Sequence, residues 1–474
     1  MKILRIGLAC GGFLSLAFSL SAQTFTRLDS FGGSDGAFPV APLVQATDGN
    51  LYGTTAGIDW GGTVFKTNTS GTLTTLHSFT FDPGAGWTPV VGLVQATNGK
   101  LYGTTSGVTP SGPTGCNFMV CPQDSTIFQI TTAGALDTIY NYNASAGPQG
   151  LVQASNGDLY GTDAGSVFKI TIAGTFTTLY SFCSKSNCTD GSDPQAGLVQ
   201  GADGNFYGTT SSGGANGLGT VFKITPSGTL TTLHSFDQVD GANPLAGLIQ
   251  ATNGDFYGTT YSGGAHGSGT VFRITPSGTL TSIHSFSNKD GAEPLAALIQ
   301  ATDGNFYGTT EQGGAHNQGT VFNITPAGKL TTLHNFCSVI ENGVCADGNR
   351  PVAALVQATN GIFYETTENG GADIHCTSSH APLACGTLFI LSMSLGPFVE
   401  TQTTSGEVGS VVTILGTDLT GASSVTFDGT AAVFKVVSGS EITTTVPTGA
   451  TTGKIEVTTP GGTLTSNVNF RVTP

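Results

Sequence analysis

One five-residue signature returns seven times along this chain. It opens at Leu51-Tyr52-Gly53-Thr54-Thr55, and its relatives centre on Tyr102, Tyr160, Tyr207, Tyr257, Tyr307 and, in altered form, Tyr364. The spacings between these tyrosines are 50, 58, 47, 50, 50 and 57 residues. A period near 50 belongs to arrays of four-stranded units rather than to helical solenoids.

Each copy contains four strand-like runs, A to D. In the fifth they are LAGLIQAT from Leu245, DFYGTT from Asp255, GTVFRIT from Gly269 and TLTSIHSF from Thr279. Asn-Gly or Asp-Gly separates A from B in all seven copies, and Pro-Ser-Gly or a relative separates C from D. Both are tight-turn chemistry, so A–B and C–D are hairpins. The B–C and D–A connections are longer, variable and rich in glycine.

The ends of the array indicate how it closes. The seventh copy stops after strand C (Gly386 to Leu391), whereas Phe25 to Phe31 matches strand D with nothing before it. In a ring the first strand completes the last unit and removes two open edges. The expectation is therefore an all-β, seven-bladed β-propeller of four-stranded blades over residues 23–394, closed by its N-terminal strand. An open β-array is the alternative.

Recurrent residues read first as architecture. Tyr of strand B and Phe of strand C (Phe65 through Phe389) are expected to pack blade on blade. The glycine between Tyr and Thr is expected to admit a neighbouring backbone. Gln45, Gln95, Gln153, Gln200, Gln250, Gln300 and Gln357 recur in strand A, either as a polar ring for a ligand or as partners for backbone groups, the second being favoured. His77, His234, His284 and His334 share one position of strand D, too far apart between blades to share an ion.

Lys2 and Arg5, an apolar run from Ile6 to Leu20 and small residues ending at Ala22 read as an export signal over 1–22. A lipidated Cys10 fits poorly, because few apolar residues precede it. Thirty acidic against 15 basic residues give a formal charge of −15, which disfavours nucleic acid and anionic membranes. No later segment is long and apolar enough to span a bilayer.

Beyond Cys10, the cysteines fall into local pairs: Cys116/Cys121, Cys183/Cys188, Cys337/Cys345 and Cys376/Cys385. Disulfides suit an exported chain. Zinc held by Cys376, Cys385, His375 and His380 is the rival, at a spacing that matches no familiar finger. Gly32-Gly33-Ser34-Asp35-Gly36 fits G-x-S-x-G by chance, with no helix to make a nucleophile elbow. Asp-Gly-x-x-Pro recurs in the D–A loops (Asp35, Asp190, Asp240, Asp290, Asp347); one carboxylate per loop is thin for calcium, so a turn role is expected. No cofactor is expected.

The topology puts B–C and D–A loops on one face and the tight turns on the other. The cysteine pairs and the unusual residues Trp87, Glu311, His316, Glu368, Asp373, His375 and His380 all fall in that loop set. Variable loops on a rigid scaffold are a common recognition device.

The stretches GNFYGTT, GTVFKITPSG and TLTTLHSF resemble the GloVer-type tandem repeat of exported, choice-of-anchor bacterial proteins, over about residues 25–390. The resemblance implies compartment and architecture, not a reaction. Glu365 departs from it by replacing the motif glycine. From about Leu395 the pattern changes to VTILG, VTF, VPTG and GKIEV, which resembles an IPT/TIG domain, an immunoglobulin-like β-sandwich, over 395–474. The expected function is a secreted, non-catalytic binding or scaffold protein that recognises a glycan or extracellular protein through the loop face. A secreted hydrolase or lyase acting on polysaccharide is the alternative, and a structural surface component the third reading.

Overall fold

The computed structural model describes residues 23–57, 61–80, 87–107, 125–142, 147–373, 376–378 and 381–473, without the side chains of 376–378 and 381–383. Residues 1–22, which the sequence reads as an export signal, and Cys116, Cys121, His375, His380 and the side chain of Cys376 lie outside the described residues.

Among the described residues the repeat region forms seven four-stranded antiparallel sheets, one per copy. Six run A-B-C-D in chain order. The last is built from both ends of the array: Thr24–Ser30 pairs antiparallel with Thr387–Ser392, with Arg27 opposite Phe389. The ring-closing strand expected from the sequence is thus in place. No described helix is long and apolar enough to cross a membrane.

Aromatic packing joins each sheet to the next. Tyr207 stacks on Phe256 with ring centroids 3.9 Å apart, and Tyr257 on Phe306 at 4.0 Å. Phe at the end of strand D meets Phe of strand C in the following sheet, as in Phe236–Phe272 at 5.3 Å. These rings are fully buried, which agrees with a packing role. The motif glycine does something other than expected. A Cβ on Gly258 would lie 2.7 Å from the Phe272 ring and 2.8 Å from a Leu248 methyl, so there, and at Gly53, Gly103, Gly208 and Gly308, it makes room for side chains; only at Gly161 does a backbone carbonyl, Gly150 O, approach first.

Two cycles of hydrogen bonds run round the ring. Each strand-A glutamine accepts from a backbone N–H in the preceding sheet: Thr47 to Gln95, Thr97 to Gln153, Ser155 to Gln200, Ala202 to Gln250, Thr252 to Gln300, Thr302 to Gln357. The cycle returns to its start when Thr359 N–H donates to Gln45 at 2.8 Å. Each amide also donates to its own A–B turn, as Gln300 does to Gly304 O at 3.0 Å. The strand-B threonines make a second cycle to carbonyls of the following sheet, which closes with Thr366 to Pro39 O at 3.2 Å. The glutamine ring therefore satisfies backbone groups, the favoured reading of the two.

The C-terminal region is a sandwich of two four-stranded sheets around Val412, Ile414, Val425, Phe427, Ile442, Ile455 and Val457.

Candidate functional site

The D–A and B–C segments meet on one face through short backbone bridges, such as Ala242 with Ser262 and Asn349 with Asn369. Here five of the seven D–A segments turn into strand A, an edge strand of each sheet, through Asp-Gly-x-x-Pro. The residue before proline adopts the left-handed region in five copies: Phe38 (φ 57), Asp193 (58), Asn243 (54), Glu293 (57) and Arg350 (54). Such geometry is disfavoured for a non-glycine residue ahead of proline. It is held by identical backbone bonds. The Asn243, Glu293 and Arg350 N–H groups donate to Leu218 O, Ser268 O and Gln318 O of the preceding sheet, and their carbonyls accept from Tyr261, Glu311 and Glu368.

One backbone device thus presents five different side chains. The residue that follows the second motif threonine varies likewise: Ala56, Ser106, Asp163 (one place after a lone threonine), Ser211, Tyr261, Glu311 and Glu368. The two sets interlock into a belt. Ser211 Oγ donates to Asp193 at 3.0 Å, and Asn243 Nδ2 to Ser211 O at 3.0 Å. Tyr261 Oη donates to Glu293 Oε2 at 3.0 Å, where Gln312 Nε2 also arrives at 2.6 Å. Arg350 Nε donates to Glu311 Oε1 at 2.9 Å, and its Nη1 lies 3.4 Å from Glu368 Oε2. Burial, opposed by Arg350 and reinforced by Glu311, pushes the Glu368 carboxyl above its ordinary range. Burial and then the bond to Glu293 raise the Tyr261 hydroxyl to about 12.

Two of the residues expected from the sequence, Glu311 and Glu368, lie in this belt. Trp87 is buried, with 5% of its surface exposed. His316 is exposed in the sixth B–C loop, and Asp373 lies beside Gly32 and Asp35. Asp193, Asn243, Glu293, Arg350 and Tyr261 were not singled out by sequence. The signal that marks four of them is the wide variation of the residue before proline in Asp-Gly-x-x-Pro, beside a first x that stays small or short (Ala, Ser or Asn).

Further out, three of the four strand-D histidines latch the D–A loops. His234 meets Asp240 at 2.7 Å, His284 meets Asp290 at 3.0 Å and His334 meets Asp347 at 3.1 Å; Tyr180 takes the same role towards Asp190 at 2.7 Å. The recurrent aspartate also caps its own loop, as Asp347 does by accepting from Ser338 and Val339 N–H. Disulfides Cys183–Cys188 and Cys337–Cys345 close two of these loops. No group of three or more His, Cys, Asp or Glu among the described residues is arranged to hold a metal ion.

Known proteins place this geometry in context. The Gloeobacter/Verrucomicrobia repeat matches residues 16–164 and 162–379, and the IPT/TIG domain matches 397–472. Among curated proteins nothing matches. A streptogramin B lyase structure is similar in fold, with TM-score 0.52 and 16% identity over 78% of this chain and 97% of that one. Virginiamycin B lyase from Staphylococcus aureus, in an inactive form with quinupristin, gives 0.52 and 15% over 78% and 99%. An extracellular domain from B. thetaiotaomicron, assigned to a hybrid two-component system, gives 0.50 and 12% over 96% of this chain and 58% of that chain. At these identities the likeness concerns the propeller-like fold.

Proposed function

Starting from a chain that belongs to the Gloeobacter/Verrucomicrobia repeat family, we propose an extracytoplasmic, non-catalytic binding protein whose loop face recognises a glycan. The observation that carries this reading is the belt: a constant, strained backbone presents side chains that differ from copy to copy, while the packing motifs around it repeat. Asn243, Gln312 and Arg350 supply donors, Asp193, Glu293 and Glu368 supply acceptors, and Tyr261 supplies an aromatic face. Sugar hydroxyls donate and accept at once, so such a mixed set suits them. The excess of carboxylates favours neutral over anionic glycans. Residues 1–22 read as the export signal, and the loop disulfides suit an oxidising compartment.

The test is a glycan array probed with the mature chain, followed by titration of any hit against Arg350→Ala and Tyr261→Ala. Affinity is expected to fall about tenfold or more in each, the cost of losing a central contact. A chain that binds no glycan, or binds with affinity indifferent to both substitutions, overturns the reading.

A second reading, a polysaccharide hydrolase or lyase, draws on Glu368, whose raised carboxyl beside Arg350 is the kind of group that serves as a general acid. It requires turnover of a bound glycan that Glu368→Gln abolishes.

A further inference from the structure

The tight-turn face, opposite the belt, is occupied by the C-terminal sandwich. Phe398 N–H donates to Thr359 O at 2.9 Å, and the Thr417 and Thr359 hydroxyls meet at 2.9 Å, both on the A–B turn of the seventh sheet. Ser440 Oγ donates to Thr47 O of the first sheet at 2.7 Å, and Gln402 Nε2 to Gln95 Oε1 of the second at 3.1 Å. Across the ring, Arg471 bonds to Ala202 O of the fourth sheet. A body anchored on the seventh, first and second sheets and again on the fourth straddles the ring axis.

These anchors are unevenly placed. The Tyr–Phe stacks lie between the third and fourth, fourth and fifth, fifth and sixth, and sixth and seventh sheets. At the other three interfaces strand B starts with Leu51, Leu101 or Leu159, so no phenylalanine stands opposite Tyr364, Tyr52 or Tyr102 at that position. The seam between the last and first sheets is among these three. Its inner amide bond, Thr359 N–H to Gln45, lies directly beneath the two anchors on Thr359 and the one on Thr47. We propose that the C-terminal domain is a clasp: it bridges the seam from the tight-turn face and adds, beside the Phe31–Phe65 contact there, the cohesion that the Tyr–Phe stack supplies at four other interfaces. The N-terminal strand closes the outer rim of the same blade, so the seam is secured at both edges.

Hydrogen exchange on the full chain tests this, because the repeat provides its own control. In the double variant Thr417→Val/Ser440→Ala, amides of 355–363 at the seam are expected to exchange about tenfold faster, while the equivalent segment 298–306 keeps its rate. Ser440→Arg, which wedges the clasp open without touching the sandwich core, is expected to act more strongly on the same segment. Unchanged exchange at 355–363 in both variants overturns the proposal. So does equal acceleration of 355–363 and 298–306, which would mean general loosening of the ring.

Discussion

Glu365 stands opposite Phe389 in the last sheet, fully buried, and neither of its carboxylate oxygens meets a hydrogen-bond donor. It occupies the place where the other copies carry glycine. The Thr309 hydroxyl, which faces it from the neighbouring sheet, donates instead to Ala353 O at 3.2 Å. Desolvation pushes this carboxyl well above its ordinary range, so the folded chain holds a proton there that the unfolded chain releases. Stability is therefore full below the ordinary glutamate range and falls as pH rises from it towards the raised value. Glu365→Gln is expected to flatten that decline and to raise stability at neutral pH by about 1–3 kcal/mol. Denaturant titrations at pH 4 and pH 8 measure both effects.

Asp347 works in the opposite sense. Burial raises its carboxyl, but bonds from His334 and Ser338 and from the Ser338 and Val339 amides outweigh it and hold the group below its ordinary range. Its contribution is present above the unfolded aspartate value and is lost as pH falls through the lowered one. Asp347→Asn is expected to cost about 1–3 kcal/mol at neutral pH and to abolish that acid-induced loss. Thermal melts between pH 2.5 and 7 would show it, and a variant with the wild-type acid limb would refute the latch.

Phe25 ties the closing strand to its own sheet, stacked on Phe389 at 4.9 Å, and to the sixth sheet, stacked on His334 at 3.7 Å. Phe25→Ala is expected to destabilise the chain by about 2–4 kcal/mol, somewhat less than truncating a fully buried aromatic because Phe25 is half-buried. Urea denaturation gives the number. Exchange of 387–392 should rise ahead of the other strands, because this is the strand that loses its partner.

Replacing Cys183 and Cys188 by serine opens a short loop and is expected to cost about 2 kcal/mol on the chain-entropy estimate. The ring itself does not depend on this bond, since every inter-sheet cycle runs through strands A and B. Denaturant titration should show the loss without a change in cooperativity.

Much of the architecture was legible because it is written in local chemistry. Asn-Gly and Asp-Gly turns, the alternation within strands and the Tyr and Phe positions each specify a few neighbouring residues, and the period repeats them until little choice remains. Closure was legible from a strand present at one end of the array and missing at the other. The glutamine ring was weighed correctly because a buried amide must find partners, and the backbone is the nearest supply.

The belt was only half visible. Glu311 and Glu368 stood out as unusual residues, but Glu293 and Arg350 resembled turn filler, and their meeting with Tyr261 and Glu311 crosses from one sheet to the next. A contact 32 or 39 residues away in sequence leaves no periodic mark. Glu365 was noticed as a departure, yet whether its carboxyl reached water depended on how the sixth and seventh sheets close over it.

Repeat period, turn residues and a strand D found at the start of the array instead of its end were enough to specify a closed ring of four-stranded sheets followed by a sandwich, since all of them can be read along the chain. Which side chains gather at the mouth, and where the sandwich sits on the ring, depended on assembly in three dimensions. The A–B turns have the same chemistry whether covered or bare, and only the packed chain distinguishes Thr359 beneath the clasp from Thr302 in the open.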